Sequence, residues 1–259
     1  MTEFTAPPRL QQTTMFLPDL EREAIALLRE HEPTDGYNGG FSGGKDSCVI
    51  KELARRAGVK VEWHYSRALD PPELVKFIHQ YHADVIFDKA RVAVFQKIKT
   101  SGMPWRQARW CCRSLKEQAG KGLIKILGVR AAESPRRAAL WIPWDGKALA
   151  PILYWSDDDV WSYIRETKIP YCNLYDEGFD RLGCVGCPLA SQRIREKEFQ
   201  RWPRYEAAWK SACYRSNWAN SGKHFSGPDE FWRWWRFDQD TGLTPNPQCG
   251  EQELMRFQQ

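Results

Sequence analysis

The segment Ser42-Gly43-Gly44-Lys45-Asp46-Ser47 constrains this chain more than any other stretch of it. It stands between a short apolar run, Tyr37 to Phe41, and a stretch with helical pattern, Cys48 to Ala57. A strand that turns through glycines into a helix is a place where backbone amides and a helix N-terminus hold anions. The two glycines let the backbone approach a phosphate without Cβ interference, while Ser42 and Ser47 offer hydroxyls and Lys45 a positive charge. The spacing is not that of the Walker loop, which needs four residues between its first glycine and Gly-Lys-Ser/Thr. The plain alternative is an ordinary glycine turn, against which the strand before and the helix after both count.

The flanking pattern extends the same theme. Residues 19–31 put Leu20, Ala24, Ile25, Leu27 and Leu28 on one helical face, with Asp19 as N-cap, and Pro33 and Gly36 end that helix. Residues 59–65 alternate like a strand, Asp70-Pro71-Pro72 opens a helix through Tyr81, and 84–87 form a brief apolar strand. A helix from about Arg91 to Ser101 and a strand over 123–129 follow. Strands alternating with helices imply a parallel sheet with its ligand at the strands' carboxyl ends. From Ser156 onward helical patterns dominate. The expected organisation is an N-terminal helical segment (1–35), an α/β domain carrying the loop (36–155) and a helical C-terminal part (156–259).

Of the 259 residues 42% are hydrophobic and 27% charged, enough for a sizeable core and incompatible with a disordered or collagen-like chain. Eight are cysteines. Residues 1–20 lack a basic stretch followed by an apolar one, and no eighteen-residue apolar run occurs, so a cytoplasmic chain with no membrane span is expected. Clustered thiols there signal metal or redox chemistry more often than disulfides. Cys111-Cys112 and the Cys184-Val185-Gly186-Cys187 turn supply four thiols. Such a quartet suits zinc or an iron–sulfur cluster, and spacing alone does not choose; adjacent cysteines are awkward for one tetrahedral zinc but can ligate two irons of a cubane. Four buried thiols acting as small hydrophobes are the plain alternative. Cys48, Cys172 and Cys213 read as packing residues.

The net charge of +5 is concentrated. Residues 191–237 hold ten Lys or Arg against five acids, together with six of the thirteen tryptophans. That mixture could serve an anionic partner with exposed bases, a nucleic acid above all; the alternative is a helical appendage whose tryptophans are core and whose charges are solvated.

Behind the SGGKDS loop come, in order, WCCRSLK (110–116), GVRAAESPRR (128–137), LYWSDDDVWSYI (153–164) and YDEGFDRLGCVGCP (175–188). This succession, over roughly 37–190, resembles the phosphoadenosine phosphosulfate (PAPS) reductase superfamily, and the loop itself is similar to the pyrophosphate loop of the N-type ATP pyrophosphatases. The resemblance implies an adenine nucleotide alpha hydrolase-like, Rossmann-like fold: a parallel sheet with helices on both faces plus the helical C-terminal part. It implies nucleotide binding by Ser42, Gly43, Gly44, Lys45, Asp46 and Ser47, with Asp46 helping to position Mg²⁺. It also implies that Arg130, Arg136 and Arg137 lie at the phosphates, where the alternative is surface arginines on a turn set by Pro135. Lys45, Asp46 and Arg130 would then be catalytic. Family members with paired cysteines plus a CxxC turn, among them adenosine phosphosulfate reductases and the adenylating proteins of DNA phosphorothioation, carry a [4Fe–4S] cluster, which here implies Cys111, Cys112, Cys184 and Cys187 as ligands. Asp70 and Ser156 are expected to be helix caps with structural roles.

Two departures divide the family. Phosphosulfate reductases generally lack the loop lysine and carry a late Glu-Cys-Gly-Leu-His; this chain keeps Lys45, and its late cysteine sits in Pro247-Gln248-Cys249-Gly250-Glu251. Lys45 therefore points to ATP, to adenylation of an acceptor such as nucleic acid, and to sulfur brought by a donor such as a cysteine desulfurase. The alternatives are a phosphosulfate reductase forming sulfite with a thiol reductant, and a non-catalytic nucleotide- or nucleic-acid-binding module.

Overall fold

The computed structural model describes residues 17–88, 93–115, 123–218 and 225–238. Five strands, β1 (Tyr37–Gly40), β2 (Val61–Tyr65), β3 (Ile86–Phe87), β4 (Lys125–Ile126) and β5 (Ala148–Leu149), form one sheet in the order β3-β2-β1-β4-β5. The pairings β1–β4, β2–β3 and β4–β5 are parallel, with Gly39 opposite Ile126 and Ile126 opposite Leu149. The α/β class expected from the alternation is thus correct. β5 was not anticipated: two residues are too few for a periodic pattern to show, and Ala148–Leu149 is recognisable only through its ladder to β4.

By internal contacts the chain divides into two compact units. One comprises 1–40, 45–62 and 122–171; the other comprises 41–44, 63–121 and 172–259. In the first, α1 (Leu17–Glu30) turns Leu20, Ala24 and Leu28 inward and packs on α2 (Lys45–Ala57), and α7 (Asp157–Thr167) packs on both. Tyr37 donates its hydroxyl to the Leu28 carbonyl at 2.8 Å, tying β1 to α1. Because α1 starts at Leu17, Asp19 lies inside its first turn, bonded to Arg22, and is not the N-cap. Two further short helices belong to this unit, a 3₁₀ turn at Ala131–Glu133 and α6 (Pro135–Leu140).

The second unit holds α3 (Pro72–Tyr81), α4 (Val94–Ser101), α5 (Trp110–Leu115), α8 (Gln192–Arg201), α9 (Pro203–Arg215) and α10 (Pro228–Arg233). The cap expected at Asp70 is not formed. Pro71 precedes α3 without a side-chain cap, and the buried Asp70 carboxylate instead accepts from the Tyr65 hydroxyl (2.8 Å) and the Ala68 amide (3.0 Å). Five of the six tryptophans of the basic segment, Trp202, Trp209, Trp232, Trp234 and Trp235, are buried in the core, and Trp218 is half-buried. Trp209 donates to the Val185 carbonyl and Trp235 to that of Pro104. Arg195, fully buried, donates to the Trp235 carbonyl at 2.8 Å, and Arg236 pairs with Glu206. Of the two readings of 191–237, the one with its tryptophans in the core describes these five, since indoles bury large apolar area once their N–H finds a carbonyl. Residues 219–224 of that segment and Cys249 lie outside the described residues. Among the described residues no helix is long and apolar enough to cross a membrane.

Candidate functional site

The strand order reverses between β1 and β4, the switch point at which open parallel sheets bind ligands beyond the strands' carboxyl ends. The chain leaves β1 into the Ser42–Ser47 loop and leaves β4 into Gly128–Arg130. Gly43 has φ +73°, and a Cβ there would stand 2.8 Å from the Leu74 and Ile78 methyl groups, so any other residue would be strained in this turn and would push those methyl groups aside. The helix begins three residues earlier than the sequence pattern suggests. Lys45, Asp46 and Ser47 occupy the first turn of α2, where amide groups lack intrahelical partners.

Four charged side chains of the first unit meet at this helix start. The Lys45 ammonium, on a buried side chain, lies 3.1 Å from Asp157 Oδ1 and 3.6 Å from Asp46 Oδ2. The buried Arg130 guanidinium donates from Nε to Asp46 Oδ1 at 2.5 Å and from Nη2 to Asp157 Oδ1 at 2.7 Å. Burial pushes the Asp157 carboxyl up, but Lys45 and then Arg130 pull it down further, and the net shift is below the usual carboxylate range. Two buried cations sharing carboxylate oxygens are equipped to take phosphate oxygens in their place. The donor chemistry fits Mg²⁺ at Asp46, a carboxylate at the start of the loop helix.

The other two expected arginines stand on α6. Arg137 bonds Glu133, whose carboxylate also accepts the Arg130 amide at 3.0 Å, and Arg136 is exposed on α6. Ser134, which caps α6 by accepting the Arg137 amide, turns this stretch into a helix and so spreads the arginines over its surface. Ser156 caps α7 as expected, in a capping box with Asp159. Asp157 was not foreseen as part of the site; within an acidic triplet at a helix start it looks like any first-turn acid.

The second unit carries the thiols. Cys111 and Cys112 stand on α5, Cys184 and Cys187 on the turn before α8, and all four are half-buried, whereas Cys48, Cys172 and Cys213 are fully buried. That contrast sets the quartet apart from packing cysteines. The Cys111 thiol bonds Cys112, and this bond, burial and the nearby Cys112, Cys184 and Cys187 all raise its pKa. The turn is firmly held. Val185 donates to the Leu69 carbonyl at 2.9 Å and Gly186 to Glu198 Oε2 at 2.7 Å. Gly186 has φ +73°, and a Cβ there would stand 2.6 Å from Phe199 and Trp209. Burial pushes Glu198 up to about 7, against the pull of the Gly186 amide and of Arg181 and Arg195. Glu198 too escaped sequence analysis, because its partner is a backbone amide twelve residues away. Among the described residues no three His, Cys, Asp or Glu side chains converge on one metal position. The thiols are neighbours without a closed cage, and as donors four partly exposed sulfurs suit iron or zinc.

A protein of Methanocaldococcus jannaschii with no assigned activity is 29% identical over 75% of this chain, which covers 45% of it; a second from the same organism is covered to 57%. The chain thus spans about half the length of these two relatives. Adenosine 5′-phosphosulfate reductase of Allochromatium vinosum is 26% identical over 78% of the chain and 86% of its own length. A crystal structure of PAPS reductase from Candida auris covers 68% of this chain and 97% of its own, with 16% identity and a TM-score of 0.48. Residues 37–190 match the phosphoadenosine phosphosulfate reductase domain, so the chain belongs to that family.

Proposed function

We propose that this chain is an ATP pyrophosphatase of the PAPS reductase family that adenylates an acceptor for sulfur insertion. The observation that carries the proposal is Lys45, buried at the start of α2 and meeting Arg130 through shared carboxylates. An ammonium there, absent from the loop of most phosphosulfate reductases, suits the β and γ phosphates of ATP. In this reading Ser42, Gly43, Gly44, Lys45, Asp46 and Ser47 hold the triphosphate, and Arg130 faces the departing phosphates. Arg136 and Arg137 are left for the nucleotide's outer oxygens. The acceptor oxygen bonds to the α phosphorus as the bond to the bridging oxygen of pyrophosphate breaks. Lys45 and Arg130 stabilise the charge that develops on the departing pyrophosphate, and Asp46 is the residue that would hold Mg²⁺, which would supply further positive charge there. A sulfur nucleophile, delivered by a donor such as a cysteine desulfurase, then displaces AMP.

Cys111, Cys112, Cys184 and Cys187 are the residues that would hold a [4Fe–4S] cluster, supported by their grouping and half-exposure. Bound there, the cluster would supply a site for sulfur or electron transfer. The acceptor we favour is a nucleic acid, as in DNA phosphorothioation. With five of the tryptophans buried, support for it comes from the exposed cations Arg193, Arg204, Lys210, Arg215 and Arg233.

Pyrophosphate release from Mg·ATP tests the proposal. Lys45→Ala is expected to abolish it, and undiminished release from that variant would sink the idea. The reductase reading keeps one specific support, the Allochromatium vinosum reductase that aligns over most of both chains. Sulfite formed from adenosine phosphosulfate with thioredoxin, and lost in Cys249→Ser, would favour it.

A further inference from the structure

One carboxylate in the ion network has no part in the proposed reaction. Asp157 opens α7, yet that helix start is already capped: the Ser156 hydroxyl accepts the Asp159 amide at 3.1 Å, and the Asp159 carboxylate accepts the Ser156 amide at 2.7 Å. The Asp157 side chain is 59% exposed, but its Oδ1 reaches Lys45 at 3.1 Å and Arg130 at 2.7 Å, whose side chains are 7% and 4% exposed. Two cations this deeply buried and this close need a counter-charge when no ligand is present. One carboxylate oxygen shared between them is where an anionic phosphate oxygen would be held.

We propose that Asp157 is a positioning residue for product release, an internal anion that takes the place of pyrophosphate on Lys45 and Arg130. The proposal rests on the assignment of those two cations to the departing phosphates. After the α–β bond breaks, pyrophosphate is a highly charged product held by two buried cations, and its departure would leave them facing Asp46, the carboxylate that this reading gives to Mg²⁺. Asp157 is close enough to bond each cation as the phosphate leaves, so the exchange replaces one anion by another. The same competition weakens every ligand that reaches both cations. It leaves untouched a ligand that ends at the α phosphate.

Binding of inorganic pyrophosphate and of AMP to the full chain, measured by calorimetry with Mg²⁺ present, tests this. Asp157→Asn is expected to tighten pyrophosphate about three- to tenfold, the scale of a lost competing ion pair, with AMP unchanged. Asp158→Asn removes the same charge from the next, exposed position and should bind both ligands like the parent. A gain of affinity confined to pyrophosphate is not something structural damage produces. Unchanged or weaker pyrophosphate binding in Asp157→Asn would overturn the proposal, the weaker result making Asp157 an ally of the ligand or its metal. An equal gain in Asp158→Asn would also overturn it, leaving only a general charge effect. Lys45→Ala separates the two levels: if it binds pyrophosphate as the parent does, the assignment of the phosphate site itself falls.

Discussion

In one unit, four charged side chains neutralise one another at the start of α2, Lys45 and Arg130 against Asp46 and Asp157. In the other, four thiols gather, and the neighbours of Cys111 make its ionisation harder. The first arrangement is complete without a ligand and changes by exchanging one anion for another. Under the proposed function the second would be completed by a cation, because a positive centre makes several adjacent thiolates stable together. In that reading the two sites would take ligands of opposite sign, a phosphate chain at one and a metal or cluster at the other.

The largest effect should follow from breaking the ionic side. Lys45→Ala is expected to lower pyrophosphate release by about 10²- to 10³-fold, since it removes a preorganised charge from the leaving group. On the thiol side, Cys184→Ser should reduce bound iron in anaerobic preparations from about four per chain to a small fraction. Nucleotide binding should stay unaltered, and a parallel loss of it would show that the sites are not separate. Colourless parent protein with stoichiometric zinc would replace the cluster by a structural metal.

Glu198 sharpens the comparison through pH. Its carboxyl is raised from 4.5 to about 7 by burial, so the folded chain keeps a proton that the unfolded chain has released. The resulting stability is fully present below pH 4.5 and is lost as the pH rises through about 7. Across that window the loss is on the order of 3 kcal/mol. Glu198→Gln should flatten the slope while still accepting the Gly186 amide, which denaturant unfolding at pH 5 and 7.5 will read. A slope equal to the parent's would remove Glu198 as the cause. The smallest effect is expected from Gly43→Ala, where positive φ and contact with Leu74 and Ile78 should destabilise by more than about 1 kcal/mol.

Several of these features are legible in the bare chain because they are local. The glycines and lysine of the loop, the CxxC turn and the Ser156 capping box each depend on residues within a few positions. Regular alternation likewise announces the α/β class, although β5, two residues long, leaves no periodic trace. Arg136 and Arg137 show the limit. Their motif names them together but gives no sign that the cap at Ser134 makes the segment a helix on which Arg137 bonds Glu133.

By itself, the sequence determined the family, the α/β class with the alternation of its first four strands and the longer helices, and the chemical types assembled at each site. Only the tertiary structure decided that Asp157 covers Lys45 and Arg130, that Glu198 holds the cysteine turn and that five tryptophans of the basic segment are core. Each of those depends on partners twelve to more than a hundred residues away, and burial and charge pairing at that separation exist only once the chain has folded.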